Sequence, residues 1–129
     1  MVQQLSLIAI VIPTYDEGIA FYCGVLGFDL LEDTDRGGGK RWVRVTPPGS
    51  VGTSILLAQA DGPRQEEAVG SFAGGRVGLF LETDDFWRDH ARYSAQGVVF
   101  EEEPRVEPYG TVAVFQDRFG NRWDLIESA

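Results

Sequence analysis

The chain has 129 residues, 43% of them hydrophobic, with 11 basic against 20 acidic side chains and a formal charge of −9. That size and apolar content fit one folded domain with its own core rather than a disordered segment, and the acidic balance speaks against a nucleic-acid partner, whose phosphates would be repelled. No apolar run approaches the ~20 residues that span a bilayer, no signal peptide is expected, and the single cysteine, Cys23, excludes an internal disulfide and fits a reducing cytoplasm.

"LIAIVI", 7–12, has the length and apolarity of a buried strand, and Pro13 ends it. Asp16 is the candidate N-cap of the helix that follows, with Ile19, Tyr22 and Leu26 on one face. Gly27 sits where a helix stops in a left-handed residue. "DRGGGKR", 35–41, lacks the spacing and the following Ser or Thr of a phosphate loop, and predicts a hairpin turn. "KRWVRVTPPGSVGTSILLAQ", 40–59, is two strands joined by a Gly-containing turn.

"DGPRQEEAVGSFAGG", 61–75, is polar and Gly-rich and predicts a linker or lid. "VGLFLE", 77–82, is again a strand. A second helix starts at Asp84 or Asp85, carries Phe86, His90 and Tyr93 on one face, and stops at Gly97. "GTVAVFQDRFGNRWDLIES", 110–128, closes the chain as two strands around a turn.

The chain is thus written twice. "VIPTYDEGIAFYCGVLGFDLLED", 11–33, and "LETDDFWRDHARYSAQGVVFEEE", 81–103, superpose with a shift of 70, "GFDLLED" over "GVVFEEE". The expected architecture is α+β, one domain of two βαβββ modules, over about 5–60 and 76–128, with 61–75 between them.

"AFYCGVLGF" after the first strand and "DRFGNRWDL" before the last resemble the vicinal oxygen chelate superfamily, which includes glyoxalase I, extradiol dioxygenases, fosfomycin-resistance enzymes and bleomycin-binding proteins. The resemblance spans nearly the whole chain. It implies a cup of curled sheets with helices outside, commonly in a homodimer, an outcome that open sheet edges also invite. Metal-dependent members place His, Gln and Glu ligands on cup-facing strand positions. The resemblance carries these onto Leu7, Leu56, Gly78 and Asp124. Only Asp124 offers a donor, whereas a catalytic metal wants about three from N, O or S. The expected cofactor is therefore none, with a weakly held divalent ion at Asp124, helped by Glu82, as the alternative.

Strand alternation then predicts the lining. With Leu7 facing in, Leu5, Ala9 and Val11 follow, while Ile8, Ile10 and Ile12 pack on the helix. With Gly78 in, Phe80 and Glu82 follow; with Asp124 in, Arg122 and Ile126 follow, and Trp123 and Leu125 face the helices. Gly78 is expected to leave room where a ligand side chain would stand. The candidate ligand-binding set is Leu7, Trp42, Leu56, Gly78, Phe80, Glu82, Arg122 and Asp124, an apolar cup with sparse polar groups. Each has a plainer alternative: Asp124 paired with Arg122 or another arginine, Glu82 in water, Trp42 in core or dimer contact. Tyr109, Arg105 and Glu107 suit a solvated rim, His90 a helix–sheet contact, and Cys23 a small hydrophobe. No Ser-His-Asp or Cys-His set exists.

The function expected from this pattern is metal-free binding of a small molecule. A lyase, isomerase or dioxygenase of the same superfamily is the alternative, with Asp124 or Glu82 as a general base of raised pKa. A non-catalytic interaction module is the third possibility.

Overall fold

The computed structural model describes residues 1–129. The chain divides into two compact units, Met1–Val69 and Gly70–Ala129, each built on its own sheet.

The first unit runs β1 (Leu7–Ile12), α1 (Tyr15–Ile19), β2 (Asp29–Gly37), β3 (Lys40–Thr46), β4 (Ser54–Gln59) and α2 (Pro63–Ala68). Its sheet has the order β1-β4-β3-β2, with β1 parallel to β4 and the other pairs antiparallel. The cap of α1 is Thr14, not Asp16. Its hydroxyl accepts from the Glu17 amide at 3.2 Å and donates to the Glu17 carboxylate at 2.9 Å, so the Thr-x-x-Glu pair closes through the hydroxyl rather than through the cap's own amide. Asp16 points instead at Arg41, 2.9 Å away.

Beyond Ile19 the helix widens into π-type turns over Ala20–Val25, where the Leu26 amide reaches back to the Phe21 carbonyl. Gly18 lets the helix lie close on the sheet, since a Cβ there would stand 3.1 Å from Leu57 and 3.2 Å from Ile12. Ile10, Ile12, Phe21, Tyr22, Leu26, Phe28, Val43, Val45 and Leu57 form the core beneath it. A fully buried side chain of this size contributes about 1.5–3 kcal/mol.

One feature of this sheet bears on the site. β3 and β4 pair only over Val43–Val45. On either side, β2–β3 pairing runs out to Gly37 and Lys40, and β1–β4 pairing to Ile12 and Gln59. The sheet therefore parts between Lys40–Trp42 and Ala58–Gln59.

The second unit starts with a 3₁₀ turn, Phe72–Gly75. It continues through β5 (Val77–Glu82), α3 (Phe86–Ala95), β6 (Val99–Phe100), β7 (Arg105–Glu107), β8 (Gly110–Gln116) and β9 (Arg122–Ser128). Its sheet runs β5-β9-β8-β6, and β7 also pairs with β8. The strand equivalent to β2 is thus broken into β6 and β7, with the interruption falling at 101–104, where Pro104 lacks an amide hydrogen.

Asp85 caps α3 by accepting from the Arg88 amide at 3.1 Å. The core is Leu79, Leu81, Phe86, Tyr93, Ala113, Phe115, Trp123 and Leu125. Gly27 and Gly97, one behind each helix, have φ of 77° and 84°.

The repeat extends to a detail of the helix starts. The Gln59 side chain at the end of β4 accepts from the Tyr15 amide at 3.1 Å, and Glu127 near the end of β9 accepts from the Phe86 amide at 2.7 Å. Both contacts tie the final strand of a unit to the first turn of its helix. The segment 61–75 is more ordered than a linker, since it holds α2 and the 3₁₀ turn.

Candidate functional site

In each sheet a helix covers one face and not the other, although in the second unit the other face is also buried at Val112 and Val114, the partners of Ile126 and Asp124. In the first unit, α1 covers β1, β3 and β4, and Ile10 and Ile12 are buried beneath it. Leu7, Ala9 and Val11 lie on the opposite face with their register partners Ser54, Leu56 and Ala58. Leu56 also stands opposite Arg44, whose guanidinium is held by Glu32 at 3.0 Å. Trp42 lies across from Thr34 with its ring partly exposed, and the Arg36 guanidinium is 5.7 Å from its centroid. Trp42 and Leu56 line one cavity of about 490 Å³. Leu7 is not among the residues that line it.

In the second unit, Leu79, Leu81, Trp123 and Leu125 are buried, and Gly78, Phe80, Glu82, Arg122, Asp124 and Ile126 alternate with them. Phe80 is directly opposite Asp124 and is 67% exposed. Glu82 accepts from the Ser128 hydroxyl at 2.6 Å. Arg122 does not pair with Asp124. Its guanidinium grips Glu101 at 2.7 and 2.9 Å, holding that carboxyl below its usual range, and also reaches the Gly75 carbonyl.

Asp124 is the outlier of this face. Its Oδ1 is buried and has no hydrogen-bond partner. Burial pushes its carboxyl above the usual range, a shift that Arg105 opposes, Glu102 reinforces and Arg122 opposes. Arg105 is engaged with Glu102 at 3.0 Å and Glu107 at 3.2 Å, and its Nη1 reaches the Tyr109 hydroxyl at 3.4 Å. No arginine neutralises Asp124 directly.

Gly78 does not leave room. A Cβ there would stand 2.6 Å from the Ala73 Cβ and 2.7 Å from the Phe72 ring, because the 3₁₀ turn packs against this stretch of β5. That turn is fastened by the "DRFGN" stretch. Asp117, 5% exposed, accepts from the Phe119 and Asn121 amides at 2.9 Å and from the Asn121 side-chain amide at 2.8 Å. The Asn121 Oδ1 then accepts from the Phe72 amide at 3.0 Å. Sequence reasoning missed Asp117, Asn121 and Phe72. The Asp-x-x-Gly-Asn spacing was the available signal, because an Asp that accepts from amides two and four residues on is a common way to close a turn.

The four positions that metal-dependent members would use offer poor donors. Leu7 and Leu56 are hydrocarbon, Gly78 has no side chain and no space for one, and Asp124 supplies one carboxylate. No group of three or more His, Cys, Asp or Glu side chains is arranged to hold an ion. His90 stacks between Phe86 and Phe100, 5.6 and 4.3 Å between ring centroids, and Cys23 is a half-buried thiol whose pKa burial raises. No helix is long and apolar enough to cross a membrane.

Comparison with known proteins agrees with this architecture. An uncharacterized protein of Shewanella frigidimarina (strain NCIMB 400) is 53% identical over 128 residues, 98% of this chain and 95% of that one. Among solved structures, UcmS2 is 28% identical with a TM-score of 0.83, over 98% of each chain. TnmS3, an antibiotic binding protein from Streptomyces sp. CB03234, is 32% identical with a TM-score of 0.74, over 99% of this chain and 98% of that one. The model of the Glyoxalase/Bleomycin resistance protein/Dioxygenase superfamily matches residues 4–125, and the chain, with its two βαβββ units, belongs to that family.

Proposed function

We propose that this protein binds a small organic molecule without a metal ion. The observation that carries the reading is the buried, partnerless Oδ1 of Asp124 beside the exposed ring of Phe80. A buried acceptor without a donor costs about 1–3 kcal/mol, a cost that a guest with a donor group would remove. An exposed aromatic ring next to such an acceptor is the usual composition of a small-molecule site. The similarity to an antibiotic binding protein supports the same reading. The apolar strands β1 and β5, each at the edge of its sheet, support a homodimer, for which sedimentation should give twice the 14.2 kDa chain mass.

The test is thermal shift with a panel of small aromatic compounds, with and without Zn²⁺, Ni²⁺, Mn²⁺ and Fe²⁺, beside metal analysis of protein purified without chelator. Stabilisation by an aromatic guest in metal-free protein is the expected result. Near-stoichiometric metal that is lost in Asp124→Ala would overturn it. That result would favour a lyase or dioxygenase of the same family, with Asp124 as a ligand of the ion.

A further inference from the structure

Where β3 and β4 part, the gap is a cavity of about 490 Å³ with two unlike walls. One wall is the tip of the β2–β3 hairpin, with Arg36, Lys40, Arg41 and Trp42. The other is the end of β4 and the residues after it, with Leu56, Ala58, Gln59 and Asp61.

The charge of this cavity is opposite to that of the chain. Three basic side chains line it against one acidic side chain, in a protein with 11 basic and 20 acidic residues. Arg41 is already committed, to Asp33 at 2.7 Å, to Asp16 at 2.9 Å and to the face of Tyr15. Arg36 and Lys40 are held less firmly. Arg36 has one long ion-pair contact to Glu32, 3.9 Å, and lies 5.7 Å from the Trp42 centroid, with its side chain more than half exposed, and Lys40 has no ion pair. Both cations flank a ring, Trp42, that remains partly open.

The hairpin that presents them turns on Gly37, Gly38 and Gly39, all at positive φ between 64° and 82°, so a side chain at the tip would strain the turn. The glycines also keep the mouth free of side chains between the two cations.

We propose that this cleft takes a flat aromatic anion, its ring against Trp42, Leu56 and Ala58 and its carboxylate between Arg36 and Lys40. The apolar floor and indole supply the contact area, and the two cations supply orientation and selection by charge. The inference rests on the reading that the protein binds a small organic molecule, but it does not rest on Asp124, which lies in the other unit. Overall negative charge would favour a cationic guest; the local arrangement selects the reverse.

The experiment is calorimetric titration with three probes of one shape: 2-naphthoate, 2-naphthalenemethanol and 2-naphthylmethylammonium. Expected is binding in the order anion, neutral, cation. Arg36→Gln combined with Lys40→Gln should weaken 2-naphthoate at least tenfold and change 2-naphthalenemethanol less than threefold. Trp42→Ala should weaken both. The hairpin-tip substitutions are exposed, and an unchanged melting temperature would confirm that they fold.

Naphthoate affinity that ignores Arg36 and Lys40, or a cation that binds more tightly than the anion, overturns the inference and leaves the small-molecule reading standing. Loss of naphthoate binding in Asp124→Asn with retention in Arg36→Gln/Lys40→Gln would move the site to the second unit and overturn it equally. No binding of any probe at millimolar concentration, with no shift from the aromatic panel, overturns both.

Discussion

The side-chain oxygen of Asn121 accepts from the backbone amide of Phe72 at 3.0 Å, and through that bond the turn before β9 holds the turn before β5. Asn121 is 1% exposed and bonds Asp117 through its amide nitrogen as well. Its two contacts explain why an Asn follows the Gly here: one group must donate to a carboxylate and accept from an amide in the same buried spot.

Asn121→Ala leaves both Asp117 Oδ2 and the Phe72 amide short of a partner. The expected loss is about 2–4 kcal/mol, from two unmet polar groups at about 1–3 kcal/mol each with partial rescue by water. Denaturant unfolding gives the number, and amide exchange at Phe72 should accelerate by more than the global change. Equal protection at Phe72 in the two proteins would contradict the anchoring role.

Gly78→Ala should destabilise by about 1–3 kcal/mol, the usual cost of adding a methyl to a filled site. The strain falls on Ala73 and Phe72. Gly78→His, which restores a metal-type ligand at this position, should melt lower than wild type and gain no stability from Zn²⁺. A zinc-dependent rise in its melting temperature would show that the 72–75 turn yields more easily than its contacts imply.

Asp124→Leu, which copies the Leu56 of the first unit, should stabilise the protein at pH 7 by roughly 1 kcal/mol by removing a buried unmet acceptor. The pH dependence fixes the cause. A carboxyl whose pKa is raised on folding holds its proton more tightly in the native state, so ionisation costs stability. That cost is absent below the unfolded-state pKa and complete above the folded one. The advantage of Asp124→Leu should therefore grow as pH rises through that window. An advantage that does not vary with pH would make it a packing effect.

The twin helix clamps make a graded prediction. Glu127→Ala should cost about 1.5–3 kcal/mol, as a charged acceptor does, and Gln59→Ala about 0.5–1.5 kcal/mol, as a neutral one does. Glu127→Gln should fall between. Chemical denaturation of the three variants orders them, and a larger cost at Gln59 would break the analogy between the units.

Much of this architecture was legible because alternation carries it. In "LIAIVI", "VGLFLE" and "RWDLI" every second residue is large and apolar where a helix lies above, and the sheet faces followed. The two copies of strand, helix, glycine and strand carried the topology, and "AFYCGVLGF" together with "DRFGNRWDL" carried the family resemblance. The cap of α1 was equally visible in "TYDE", but Asp16 was a competing acceptor, and Thr14 won because its hydroxyl both accepts from the Glu17 amide and donates to the Glu17 carboxylate.

What the sequence withheld depends on contacts between distant segments. Nothing local says that Phe72 and Ala73 fill the space over Gly78, six and five residues away across a turn. Nor does it say that Arg122 turns to Glu101 across the sheet and leaves Asp124 alone, or that β3 and β4 part after three residue pairs. The charged hairpin tip looked like a plain turn because its cavity exists only where the strands separate.

The outer strands differ in a way that bears on the life of the chain before it is folded. β2 carries Asp29, Glu32, Asp33 and Asp35 along its length, and β6–β7 is short and interrupted, so neither invites a stray strand. β1 and β5 have no such guard: one is six apolar residues without a charge, the other has its only charge at the end. Because β1 must wait for β4, more than forty residues later, "LIAIVI" leaves the ribosome as a sticky segment with no partner yet made. Aggregation during overexpression should begin there, and cooling or slower synthesis should relieve it where a change to the guest-binding face would not.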